Sequence, residues 1–289
     1  MCIMTRIKTT LTIISFLVSL NLGQVHNDDK APAGEQVYFA FQYGLKAIPG
    51  PGKEKKGGED AWFAHDYLLS VADGVGGWVS QGVDPAIYSR KLENNVKQYF
   101  ERNQNYYRTR PKELMKIAAD NNKEKGSSTF IIVTLNPTKP ILHTSLLGDS
   151  SYFLIRKNAI GEFQSVFRSE EQQHGFNFPF QCGSSGDPIS KAIENSHEVK
   201  LGDMVIVGTD GIFDNLYDAD ILEIVNYEPD GEVNALAMKI AQIAYNKSKN
   251  KSYISPFAAN AKKAGMSFDG GKEDDITVLV GVIRKAVYN

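Results

Sequence analysis

Four short segments carry paired or glycine-flanked carboxylates: Glu59-Asp60, Asp73-Gly74, Asp210-Gly211 and Asp274-Asp275. Each lies at the start or end of a strand-like run, AWFAHD, YLLSVAD, DMVIVGTD or DITVLVGVI. Sheet ends are where loops hold functional groups on a rigid frame. Carboxylates gathered at one such end repel one another unless cations neutralise them. Hard oxygen donors, with no thiolate pair and no histidine cluster, select Mg²⁺ or Mn²⁺ over zinc. Two such ions, roughly 3.5 to 4 Å apart, can hold a bridging water, lower its pKa and clamp a phosphoryl group. Taken singly, each dipeptide is an ordinary turn or a solvated loop. Asp73 and Asp210 stand apart, because each ends a run of buried type. The Gly-Val-Gly-Gly after Asp73 lets backbone approach a ligand closely and offers the Gly74 carbonyl as a donor.

The elements that must position these groups follow from periodicity. QVYFAFQYGL (36–45) reads as a strand and precedes a Gly-Pro-Lys loop at 49–58. Pro85 opens a helix to about Arg102, with Ile87, Leu92, Val96 and Phe100 on one side. A second helix is expected from Pro111 to Lys123. STFIIVTL, PILHTSLLG and SYFLIRK, broken at Asn136-Pro137 and Gly148-Asp149, read as a meander of antiparallel strands. A third helix is expected over 232–247, with Val233, Leu236, Ile240 and Ile243 together. Strands group with strands and helices with helices. That pattern predicts an α+β fold of antiparallel sheets covered by helices, not a doubly wound sheet.

Composition sets the outer bounds. The 289 residues are 42% hydrophobic and 23% charged, which suits a globular chain and not a disordered one. The 32 basic and 34 acidic residues leave a net charge of -2, so nothing favours a nucleic-acid partner. Cys2 and Cys182 cannot build a disulfide framework or a thiolate zinc site. Residues 1–27 combine Arg6 and Lys8 with the apolar run LTIISFLVSLNL and no acid before Asp28. That order matches a secretory signal peptide more closely than its rival, a mitochondrial presequence, and the run is too short for a stable membrane span. Residues 28–289 then form a single domain, expected to be a monomer.

The motifs taken together resemble the metal-dependent type 2C protein phosphatases. The resemblance rests on GGEDAWF (57–63), VADGVGGW (71–78), GSST (126–129), LLGDSSYFL (146–154), VGTDGIFDN (207–215) and EDDITVLV (273–280), in the family's order. SEEQQHGFNFPFQ (169–181) and YISPFAANAKKAG (253–265) are similar to the short branch that contains mitochondrial matrix phosphatases. The resemblance implies a four-layer sandwich, two antiparallel β-sheets flanked by α-helices. It implies a protein serine/threonine phosphatase in which a metal-bridging water attacks the phosphoserine or phosphothreonine phosphorus directly. Asp73 would bridge two Mg²⁺ or Mn²⁺ ions, with the Gly74 carbonyl on one. Asp210 and Asp274 would bind the other ion. Glu59 and Asp60 would hold metal-bound waters or a metal, Asp149 a weaker third metal, and Asp275 would stand behind the ligands.

Two departures bear on the chemistry. Family members commonly carry an arginine four residues before the motif's Glu, forked onto the substrate phosphate. Lys55 stands there, beside Lys53 and Lys56, and binds phosphate only as a point charge. Many members carry a histidine after Asp-Gly that protonates the leaving group. Val75 stands there, as in the mitochondrial branch, so general acid help typically worth 10² to 10⁴-fold must come from elsewhere. The competing expectation is a non-catalytic phosphoprotein-binding module on the same fold.

Overall fold

The computed structural model describes residues 38–227 and 232–286. The expected leader, residues 1–27, lies outside them, as do the first two residues of the expected 36–45 strand. All the described residues belong to one contact unit, Gln36–Asn289.

Ten strands make two five-stranded sheets. The first contains, in order, β1 (Phe39–Ile48), β14 (Ile276–Lys285), β13 (Met204–Gly208), β7 (Ser151–Lys157) and β8 (Phe163–Arg168). The second contains β12 (Ile193–Glu198), β6 (Ile141–Leu147), β5 (Phe130–Leu135), β3 (Leu68–Asp73) and β2 (Asp60–His65). Every pairing within both sheets is antiparallel. Two short pairs complete the set: β4 (Ser127–Ser128) with β11 (Cys182–Gly183), and β9 (Gln173–Gly175) with β10 (Phe178–Pro179).

Seven helices accompany the sheets among the described residues: α1 (Pro85–Arg102), α2 (Gln104–Tyr107), α3 (Pro111–Asp120), α4 (Asp210–Phe213), α5 (Asp218–Tyr227), α6 (Val233–Ser248) and α7 (Pro256–Lys263). Asp84 caps α1 by accepting from Ala86 N, with Pro85 at the first helical position. Leu92, Val96 and Phe100 face inward from α1, and Ile87 faces solvent. The amphipathic stripe therefore runs through three of the four residues expected to form it.

The core falls into three apolar layers. One joins α5 and α6 to the first sheet through Ile221, Ile240, Ile206 and Val280. The middle layer joins the two sheets through Val71, Val133, Leu154 and Leu279. The third joins the second sheet to α1 and α3 through Leu92, Leu114, Phe130 and Ile132. Three layers of side chains separate four layers of backbone, which is the four-layer α+β sandwich.

The expected meander is corrected at one point. β5 and β6 pair, but β7 leaves for the other sheet. The chain makes that crossing at Gly148, Asp149 and Ser150. Gly148 has φ +110°, and a side chain there would drive its Cβ to 2.6 Å from the Phe180 carbonyl oxygen. Two strands of the main sheets escape the periodicity, β8 and β12, because both are sheet edges with few buried apolar side chains, and the two- and three-residue strands β9, β10 and β11 are too short to show one. No helix among the described residues is long and apolar enough to cross a membrane.

Candidate active site

The acidic segments converge where the two sheets end together. Asp60 opens β2 and Asp73 closes β3, and the two are directly paired across the ladder. Asp149 sits in the crossing from β6 to β7. Asp210 opens α4 just beyond β13, and Asp274 lies two residues before β14. Glu59, Asp73, Gly74, Asp149, Asp210 and Asp274 line one cavity of about 270 Å³. Asp60 is buried beside it, where Thr209 Oγ1 donates to its Oδ2 at 3.0 Å.

The GSST motif holds the Asp73 loop, and its last residue, Thr129, also lines the cavity. Thr129 N and Ser128 Oγ both donate to the Asp73 carbonyl, at 2.9 and 2.7 Å. Val75 N donates to the Ser127 carbonyl, and Trp78 Nε1 donates to Ser127 Oγ. Gly74 has a packing reason as well as the expected ligand reason. A Cβ there would lie 2.8 Å from both the Glu59 and Pro85 carbonyl oxygens.

The basic loop 53–56 is arranged differently from expectation. Glu54–Lys56 form a 3-10 turn, in which residues three apart share a side. Lys53 and Lys56 therefore both turn inward onto Glu59, each with Nζ 2.6 Å from one carboxylate oxygen. Lys55, the expected phosphate-binding position, points the other way and is exposed, outside the cavity lining. Lys53 is the loop lysine that lines the cavity, 2.9 Å from Asp275 and 3.7 Å from Asp274.

Asp275 stands behind the others. Its Oδ1 accepts from Gly50 N at 2.6 Å, and its Oδ2 accepts from Glu59 N at 2.9 Å. Two further groups were not singled out by the motifs. Lys272 Nζ lies 2.7 Å from Asp214 and 3.2 Å from Asp274, and also donates to Asp210. Asp214 falls inside VGTDGIFDN, and its four-residue spacing from Asp210 along a helical turn was the available signal.

Electrostatically the cluster resists full ionisation. Burial, then the neighbouring carboxylates, pushes Asp60, Asp73 and Asp274 above the usual carboxylate range. Asp149 is raised by burial and by Asp210, and Asp214 is pushed up to about 8 by burial and Asp210 against the pull of Lys272. Burial acts the same way on Asp210, but Lys272 outweighs it and holds that carboxyl low. Such a group of carboxylates needs added positive charge.

Oxygen donors of this kind fit Mg²⁺ or Mn²⁺. Asp60 Oδ1 and Asp210 Oδ1 are buried with no hydrogen-bond partner among the described residues, a state that a cation would relieve. At the same time, no three Asp, Glu, His or Cys side chains among the described residues converge as a ready metal cage. Lysine ammonium groups stand between the carboxylates.

The remaining candidates lie elsewhere. His65 accepts from Tyr67 N and packs on Phe100, and His143 bonds Ser196. Both are structural. His174 stacks on Phe180 and bonds Asp187, lining a second, open groove that adjoins the cavity through Val75, Gly77, Asn177 and Pro179. Cys182 is free and buried.

No family model matches the chain. Individual proteins do. The chain is 40% identical over 242 residues to "Probable protein phosphatase 2C 55" of Arabidopsis thaliana, covering 82% of this chain and 50% of that protein. It is 36% identical over 258 residues to the "Protein phosphatase PTC7 homolog" of Xenopus laevis, covering 80% of this chain and 84% of that one. Among solved structures, the photosystem II phosphatase PBCP matches with a TM-score of 0.77 at 31% identity, over 84% of this chain and 99% of that chain. The chain spans about half the length of the first curated relatives it matches. With the motifs gathered at one sheet end and these relatives beside it, the chain belongs to the type 2C protein phosphatase family.

Proposed function

We propose that this chain is a metal-dependent protein serine/threonine phosphatase that hydrolyses phosphoserine or phosphothreonine without a phosphoenzyme. The observation that carries the reading is the buried carboxylate group at the joint sheet end, with two partnerless oxygens. Asp60, Asp73, the Gly74 carbonyl, Asp210 and Asp274 would hold two Mg²⁺ or Mn²⁺ ions, and Asp149 would add to a weaker third. Bound divalent ions supply an activated water and neutralise charge on the phosphoryl group.

The chain's own residues do the rest. The Thr129, Ser128 and Val75 contacts fix the Asp73-Gly74 backbone, so donor atoms need no rearrangement when substrate arrives. Lys53, held on Glu59 and Asp275, presents a fixed positive charge at the cavity rim toward a phosphate. Val75 brings no proton donor, so the leaving serine or threonine alkoxide would take its proton from water. The groove that adjoins the cavity, about 870 Å³ and lined by Trp78, His174 and Phe178, gives room for chain on one side of a phosphoresidue. That favours a protein substrate over a small phosphoester.

The test is phosphate release from a phosphothreonine peptide with Mn²⁺, with EDTA, and with Asp73→Asn. Release should require both the metal and Asp73. Tight phosphopeptide binding by a folded protein, with no release under any divalent metal, would instead make the chain a binding module.

A further inference from the structure

We propose that Lys272 is a resident counter-cation of the carboxylate group, which a divalent ion must displace to take Asp210 and Asp274. The inference rests on the metal-dependent reading of the same site. Lys272 Nζ contacts three carboxylates at once, Asp210, Asp214 and Asp274. Two of the three are the residues assigned above to one metal. An ammonium and a divalent cation cannot share those oxygens at close range, since two positive charges a few ångströms apart repel strongly in a partly solvated site.

The lysine is held there through its backbone. Asn215, fully buried, donates through Nδ2 to the Lys272 carbonyl at 2.9 Å. Its Oδ1 accepts from Lys272 N, also at 2.9 Å. This double clamp fixes where the side chain starts. The ammonium also lies 5.0 Å from the Phe257 ring centroid, a second favourable environment for a cation. Side-chain shape explains why the residue is lysine. A compact ammonium on a flexible stem can leave one carboxylate and keep another, whereas a guanidinium fork would be pinned to two. Asp214, which lies outside the assigned ligand set, gives the ammonium a place to remain when Asp210 and Asp274 are taken.

Two consequences follow. Without metal, Lys272 neutralises carboxylates that would otherwise repel one another, so it stabilises the empty site. With metal, it opposes binding, so it sets the affinity. The measurement is Mn²⁺ titration by calorimetry on the full chain, together with thermal melting in EDTA, for wild type, Lys272→Met and Lys272→Arg.

Lys272→Met should bind Mn²⁺ roughly tenfold more tightly, as expected for removing one unit charge beside the ion. It should also melt at a lower temperature in EDTA and gain more from added Mn²⁺. Lys272→Arg keeps the charge and pins two carboxylates, so it should bind Mn²⁺ no more tightly than wild type. Should Lys272→Met not fold without metal, Lys272→Gln, whose amide still donates to these carboxylates, carries the same expectation. Unchanged or weaker affinity in the neutral variants overturns the proposal while leaving the metal-dependent reading intact. So does a tightening in Lys272→Arg equal to that in Lys272→Met. If neither wild type nor the neutral variants bind Mn²⁺, both readings fall together.

Discussion

At the corner formed by Glu59 and Asp275, every carboxylate oxygen has a partner. Glu59 is bracketed by Lys53 and Lys56, and Asp275 accepts from two backbone N–H groups and from Lys53. A few ångströms along the same sheet end, Asp60 and Asp210 each keep a buried oxygen with none. Both corners are acidic, and both resemble family motifs. The difference is that one corner uses its charge to hold the loop 49–59 in place, while the other keeps donor capacity in reserve. At this sheet end the carboxylates saturated by fixed donors act as scaffold, and the two left short of partners are where a cation fits.

The largest effects should come from the corner with reserve. Asp73→Asn and Asp210→Asn each remove a charge at the point where cations are needed, and each should lower phosphatase activity by about 10³-fold or more. Asp73→Asn should cost little stability in EDTA, because it relieves repulsion among buried carboxylates, whereas Asp210→Asn also removes a partner of Lys272 and should cost more. Near wild-type turnover in both variants would erase the distinction between the corners.

The scaffold corner should fail in the opposite way. Asp275→Ala leaves Gly50 N and Glu59 N without their acceptor, and an unsatisfied buried donor costs about 1 to 3 kcal/mol. With two such donors, the variant should lose about 2 to 6 kcal/mol in denaturant unfolding. Its activity should fall less than that of Asp73→Asn, and should recover with stabilising conditions. A stable but inactive Asp275→Ala protein would place Asp275 among the receptive groups.

How much of this was legible in sequence differs between the same two corners. The strands that lead to Asp73 and Asp210 announce themselves by long apolar runs, so the sheet end and its carboxylates could be read from the residue pattern alone. β5, β6, β7, β14, α1, α3 and α6 fall within a few residues of their expected bounds. What sequence could not supply was direction. Whether Lys53, Lys55 or Lys56 enters the cavity depends on a single 3-10 turn, and a short polar loop carries no periodicity to announce it. Lys272 lies in a polar stretch before β14, and only tertiary packing through Asn215 turns it inward. The jump of the chain between sheets at Gly148 was hidden as well, because a hairpin turn and a crossing use the same glycine-aspartate signal.

The smallest expected effect is also the most discriminating between loop neighbours. Lys53 and Lys55 lie two residues apart in one basic loop and carry the same charge. Lys53 is held 2.6 Å from Glu59 and 2.9 Å from Asp275 at the cavity rim, and Lys55 is exposed outside it. Lys53→Met should lower kcat/KM on a phosphopeptide by roughly tenfold, the loss of one fixed cation from a partly solvated phosphate site. Lys55→Met should stay within about twofold, as expected for an exposed side chain remote from the substrate. High salt should weaken the wild-type enzyme toward the Lys53→Met level, since a charge at the open rim is screened. Equal losses in the two variants would mean that the loop acts through its net charge rather than through the position its turn creates.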